Sequence, residues 1–331
     1  MNAFSYTRAA TIGDAINEAA ANKTARFIAG GTNLIDLMKE NVARPARLID
    51  ITRLPLNRIE DIPGGGLRLG ALVTNADTAY NEQVEKRYPL LSRAILSGAS
   101  PQLRNMATNG GNLLQRTRCY YFYDTTTPCN KREPETGCSA IEGFNRMHAV
   151  LGASDQCIAV HPSDMCVALA ALEAVVRVQG RSGERTVHIA DFHRLPGNTP
   201  QIDTNLQDDE IITSIDLPPN GFADHYAYLK VRDRHSYAFA LVSVAAALEM
   251  SGNTIKEARL ALGGVAHKPW RMQEAESLLK GKTGTPDDFK AAAEVIMRDA
   301  TGFSHNSFKI ELAKRAIVRA LKHSVQMGAR A

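Results

Sequence analysis

The sequence predicts an α+β protein of three consecutive units, and three observations carry that reading. Short strands and helices alternate over residues 1–55. A Pro-Pro-Asn-Gly linker at Pro218 to Gly221 punctuates the chain. Beyond it, long strands give way to helices, the order of an α+β domain. The length agrees, because 331 residues exceed the ~250–300 at which single cores stop growing.

In the first unit, residues 1–55, the pattern reads as a strand at Phe4 to Tyr6 and a helix with Ala15, Ile16 and Ala19 on one face. A strand at Arg26 to Ala29, a helix through Leu34, Leu37 and Met38, and a strand at Leu48 to Ile51 follow. The second unit, residues 56–218, opens with a strand at Leu67 to Leu69, a helix at Leu90 to Leu96 and a Gly- and Asn-rich turn at Thr108 to Asn112. Within it, at about 115–160, periodicity fails and the composition turns to Cys, Tyr, Thr, Pro, Asn and Arg. A structureless stretch of that length needs something other than an apolar core to order it. Order returns at Pro162, read as the first-turn residue of a helix through Val167, Leu169 and Leu172, and then a strand at Val175 to Val178. The third unit, residues 222–331, shows alternating strands at His225 to Val231, Ser243 to Met250 and Ile255 to Leu262. Ser251-Gly252-Asn253 is a hairpin turn, and helices begin at Met272, Pro286 and Phe308.

Composition excludes several function classes. With 44% apolar and 22% charged residues the chain reads as globular. A net charge of +4 spread along the chain argues against a nucleic-acid partner. No stretch reaches the ~18 apolar residues of a spanning helix, so no membrane insertion is expected. The start lacks a basic leader with an apolar run, so no export signal of its own is expected either.

Five motifs carry chemistry. Ala29-Gly30-Gly31-Thr32-Asn33-Leu34 places a glycine pair between a strand and a helix, where backbone N–H groups and the helix start suit a pyrophosphate; a plain strand-to-helix turn is the alternative. Thr108-Asn109-Gly110-Gly111-Asn112-Leu113 is a second such pair, edged by side chains that suit phosphate or ribose, or else a hairpin turn. Together they suggest one dinucleotide held between two subdomains. Cys119, Cys129, Cys138 and Cys157, spaced C-x9-C-x8-C-x18-C, fit an Fe4S4 cluster that orders the polar insertion. Zinc, which favours short knuckles, and four unrelated thiols are the alternatives; Cys166 reads as a packed residue. In His161-Pro162-Ser163-Asp164, Asp164 either bonds ribityl or ribose hydroxyls or, like Ser163, caps a helix. Lys230-Val231-Arg232-Asp233-Arg234 is either a solvated charge run or a source of one cation near a flavin ring. No nucleophile set is visible, and the scattered histidines fit no metal triad.

The segments AGGTN, TNGGN and HPSDM, the four cysteines, and longer runs such as GNLLQRTRCYYFYD and KVRDRHSYAFALVSVAAA resemble the medium, FAD-binding subunit of the xanthine dehydrogenase family of molybdenum hydroxylases, in its periplasmic aldehyde oxidoreductase type. The resemblance covers essentially the whole chain. It implies a two-subdomain FAD-binding domain of the vanillyl-alcohol oxidase type, followed by a carbon monoxide dehydrogenase flavoprotein C-terminal-like α+β domain. It implies FAD contacts at Arg26, Phe27, Ile28, Ala29, Gly30, Gly31, Thr32, Asn33, Leu34, Thr108, Gly110, Gly111, Asn112, Asp164 and Lys230. It also implies Fe4S4 ligation by Cys119, Cys129, Cys138 and Cys157, a feature shared with 4-hydroxybenzoyl-CoA reductase. Asn109-Gly110 departs from the Thr-Ala expected there.

The same resemblance implies the working unit: a heterotrimer or larger assembly with a molybdenum-cofactor large subunit and an Fe2S2 small subunit. Electrons pass from the Fe2S2 clusters to FAD here and on to an external acceptor, in aldehyde oxidation or, alternatively, in a reaction like that of 4-hydroxybenzoyl-CoA reductase or xanthine dehydrogenase. The implied location is the periplasm, by co-export with a signal-bearing partner, and otherwise the cytoplasm.

Overall fold

A computed structural model describes residues 1–328, with mixed helix and sheet content throughout. The chain forms three sheets. Ser5–Arg8, Arg47–Asp50 and Ala25–Ile28 make a three-stranded parallel sheet with Arg47–Asp50 in the centre. The helix Ile12–Ala21, held by a Thr11/Asp14 capping box, buries Ala15, Ile16 and Ala19 against it. A five-stranded antiparallel sheet follows, ordered Ile59–Asp61, Leu67–Gly70, Ile211–Leu217, Val175–Gly180 and Gly183–His188. The last sheet has four antiparallel strands, ordered Trp270–Arg271, Thr254–Gly263, Val242–Ser251 and Tyr226–Val231.

Three features depart from the sequence reading. The strand Val242–Ser251 does not alternate between core and solvent, because both faces are covered and every residue from Val242 to Leu248 is buried. Ala245 and Ala247 join the core of the middle sheet, while Val244, Ala246 and Leu248 join that of the C-terminal helices. Alanine on the first face lets the helix Asp164–Ala171 approach the sheet closely. Thr108 to Asn112 is not a hairpin turn: Asn109–Leu113 is a short helix capped by the Thr108 hydroxyl. Pro162 does not open its helix; Ser163 caps it and Asp164 is the first helical residue.

The insertion holds only two helical turns, Tyr120–Tyr123 and Ser139–Glu142, and an isolated bridge between Cys129 and Cys138. Side-chain hydrogen bonds to backbone supplement a small apolar cluster of Phe122 with Leu37. Arg132 donates to the carbonyls of Tyr121 (2.7 Å) and Phe122 (3.0 Å). Asn130 accepts from the Gly137 N–H at 2.8 Å and donates to the Gln156 carbonyl at 3.1 Å. No described helix is long and apolar enough to cross a membrane.

Candidate flavin and iron–sulfur site

The two glycine loops touch at backbone level. A Cβ on Gly30 would stand 1.8 Å from the Met106 carbonyl oxygen, so glycine is required there for loop-on-loop contact. Gly31 adopts φ +70, the left-handed region that disfavours side chains. Among the described residues, the N–H groups of Gly30, Gly31, Thr32 and Asn33 have no acceptor inside the protein. Asn33 does not cap its own helix; its Oδ1 accepts from the Arg116 N–H at 2.9 Å, which ties the loop to the start of the insertion. Four neighbouring free donors at a left-handed turn make an anion-binding nest.

The second loop differs. The N–H groups of Asn109, Gly110 and Asn112 donate to the carbonyls of Val73, Ala71 and Thr108 at 3.0, 2.8 and 2.8 Å. That of Gly111 donates to Thr108 Oγ1 at 3.3 Å. The loop therefore has no free backbone donor at these positions: its amides are all occupied by its own fold. What it offers outward is the half-buried Asn112 side chain, which accepts from Ser163 Oγ at 2.5 Å. Thr108 is itself buried.

That contact leads to Asp164. Its carboxylate accepts from Tyr228 Oη at 2.6 Å and from Lys230 Nζ at 2.7 Å, with the Asp and Lys side chains only 9% and 4% exposed. Asp164 and Lys230, read separately from sequence, thus form one buried ion pair between the second and third units. Lys230 also donates to the Ser97 carbonyl at 3.0 Å. Arg26, by contrast, is exposed and bends back onto the carbonyls of Lys23 and Ala25, while Phe27, Ile28 and Ala29 are half-buried.

Beside Asp164 opens a pocket lined among others by Arg118, Cys119, His148, His161 and Phe239. Among the described residues Arg118 has no carboxylate within ion-pair distance, and its guanidinium lies 5.2 Å from the Phe239 ring. Because Lys230 is neutralised by Asp164, Arg118 is the uncompensated cation at this cavity.

A second, smaller pocket is lined by Cys119, Cys129, Cys138 and Cys157. All are free thiols. The Ala159 N–H donates to Cys157 Sγ at 3.4 Å. Burial pushes the Cys119 thiol up to about 12 and the Cys157 thiol to about 11, so ionised sulfur here requires a metal in place of the proton. No three of these sulfurs lie within 4.8 Å of one another. Thiolates on one tetrahedral zinc, with bonds of about 2.3 Å, stand about 3.8 Å apart. As they stand, the four sulfurs are not drawn together that closely.

Sequence reasoning missed the groups behind these cavities. His148 Nε2 lies 3.0 Å from Cys119 Sγ. Asp203 accepts from Arg116 Nε at 2.7 Å and Lys131 Nζ at 2.5 Å, and so fastens the start and the middle of the insertion. Burial works against the Asp203 charge, but Arg116 and Lys131 overcome it and hold the carboxyl below its ordinary range. The expectation that the histidines form no triad is corrected in geometry, since His161, His193 and Cys166 bring ligand atoms within 4.8 Å of one another. Burial leaves all three uncharged, lowering both histidines and raising Cys166 to about 12. That is the state of packed core groups. A lone His in a loop gives no signal of such partners.

Residues 2–220 match the family described as the FAD binding domain in molybdopterin dehydrogenase, and residues 226–324 match the CO dehydrogenase flavoprotein C-terminal domain. The chain belongs to the FAD-binding medium subunits of the molybdenum hydroxylases. It is 51% identical, over 97% of its length and 98% of the relative's, to an aldehyde oxidoreductase FAD-binding subunit of Escherichia coli. It is 31% identical to the glyceraldehyde dehydrogenase medium chain of Sulfolobus acidocaldarius, over 88% and 86% of the two chains. A solved structure of carbon monoxide dehydrogenase from Hydrogenophaga pseudoflava is similar at TM-score 0.77 and 26% identity, covering 98% of each chain.

Proposed function

We propose that this chain is the electron outlet of a molybdenum-dependent aldehyde oxidoreductase and carries both FAD and an Fe4S4 cluster. The observation that carries the reading is the meeting of two cavities at Cys119, one bordered by Asp164 and Arg118 and the other by all four clustered cysteines. The flavin, when bound, accepts electrons singly and releases them singly or in pairs. The free amides of Gly30 to Asn33 hold its pyrophosphate, with Arg26 to Ala29 and Leu34 flanking them. Thr108, Gly110 and Gly111 shape the adjoining wall, on which Asn112 presents its side chain. Asp164 takes nucleotide hydroxyls, with Lys230 fixing its orientation. Arg118 faces the developing negative charge of the reduced ring. Cys119, Cys129, Cys138 and Cys157 hold the cluster.

The division at residues 1–55, 56–218 and 222–331, with the insertion at about 115–160, is the domain plan that accompanies this role. Identity to the E. coli subunit supports aldehyde as the substrate class, and family membership supports a heterotrimer or larger assembly with a molybdenum-cofactor large subunit and an Fe2S2 small subunit. The chain passes their electrons to an external acceptor. We place the complex in the periplasm, exported through a signal on a partner. The test is turnover of aromatic aldehydes with an artificial acceptor by the chain alone and by the assembled complex. Turnover confined to the complex supports the reading, and equal turnover by the isolated chain overturns it.

A further inference from the structure

Cys119 is the cysteine of the four that borders both cavities, and its sulfur has a nitrogen neighbour. His148 Nε2 stands 3.0 Å away. We propose that His148 donates a hydrogen bond from Nε2 to the Cys119 sulfur and so sets the reduction potential of the cluster on the side that faces the flavin cavity. The inference rests on the cluster assignment above.

The direction of the bond follows from chemistry. A metal-bound thiolate has no proton to give, so Nε2 carries the hydrogen and Nδ1 is the bare nitrogen. Among the described residues Nδ1 has no partner of its own, so the ring makes no second hydrogen bond. The backbone that carries it is held in place. The His148 N–H donates to the Asn145 carbonyl at 3.0 Å. Its carbonyl accepts from Lys309 Nζ at 2.7 Å and from Asn306 Nδ2 at 3.3 Å. Asn145 is itself held from the C-terminal unit, its Oδ1 accepting from the His305 N–H at 2.9 Å. The start of the long helix Phe308–Gly328 and the residues before it therefore hold the backbone from which the imidazole reaches the Cys119 sulfur.

A donor to a ligand sulfur stabilises the more negative, reduced cluster and raises its potential. His148 is a positioning and tuning residue, and its contact makes electrons easier to place on the cluster beside the flavin cavity.

The test is a redox titration of the purified complex followed by electron paramagnetic resonance, with iron counted in each sample. Wild type is compared with His148→Leu, which removes the donor, and His148→Gln, whose amide nitrogen reaches the same place. The expected result is full iron in all three, with the four-iron centre of His148→Leu shifted to lower potential by about a tenfold change in its electron affinity, about 59 mV for one electron. His148→Gln should restore the wild-type value. An unchanged potential in an iron-replete His148→Leu complex overturns the proposal. If His148→Leu loses the cluster, its retention at wild-type potential in His148→Gln supports a donor that holds the ligand, and loss from both variants overturns it. A wild-type complex without any four-iron centre instead removes the underlying cluster assignment.

Discussion

The segments Gly30-Gly31-Thr32-Asn33 and Asn109-Gly110-Gly111-Asn112 look interchangeable on paper, yet the fold uses them in opposite ways. In the first, four N–H groups are free and one glycine is left-handed. In the second, every N–H is bonded internally and the loop is a capped helical turn. Composition told that a loop was Gly-rich, but only hydrogen-bond accounting told which loop had donors to offer a ligand. The first keeps its donors free, as the proposed phosphate nest requires; the second is a wall that Gly30 must approach.

Substitutions can break that contrast. The largest effect is expected from Gly30→Ala, because its Cβ would meet the Met106 carbonyl at 1.8 Å. Separating the loops should cost about 3 kcal/mol and release FAD, measured as thermal stability and flavin content of the complex. Gly31→Ala places a side chain at φ +70, a cost of about 1–2 kcal/mol. Its FAD affinity should fall further than its stability, since the same residue orients free donors. Thr108→Ala removes a helix cap, about 1 kcal/mol, and should leave FAD nearly stoichiometric. Equal flavin loss in Gly31→Ala and Thr108→Ala would show that the two loops share one role after all. The gentlest substitution is Arg118→Met. With no carboxylate partner to strand, it should fold and load normally yet lower the flavin's reduction potential. A flavin potential equal to that of wild type would take Arg118 out of the flavin environment.

Much of the architecture was legible because the periodicity was strong. The helix with Ala15, Ile16 and Ala19 inward and the hairpin around Gly252 stand where the pattern puts them. The strand Ile211–Leu217 went unread despite its β-branched run, and Gly183–His188 offers only one buried residue, Val187. At the site, local motifs were visible and long-range pairings were not. Asp164 and Lys230 lie 66 residues apart in the chain and 2.7 Å apart in space. No single segment contains that fact. The charge run from Lys230 to Arg234 suggested a cation near a flavin ring, whereas Lys230 is paired in space with Asp164. The cysteines were conspicuous because they stand together in a polar insertion; His148, behind one of them, was not.

The claim on which most else depends is that the insertion is built around an iron–sulfur cluster. It is tested most directly by iron, zinc and FAD analysis of the purified complex carrying wild-type chain, Cys129→Ser or Cys166→Ser. Cys129 lines the cluster cavity and Cys166 is packed in the core of the middle unit. The account predicts that Cys129→Ser loses about one four-iron cluster, and that Cys166→Ser keeps the wild-type iron. Zinc in place of that iron, or equal iron in all three proteins, would contradict it.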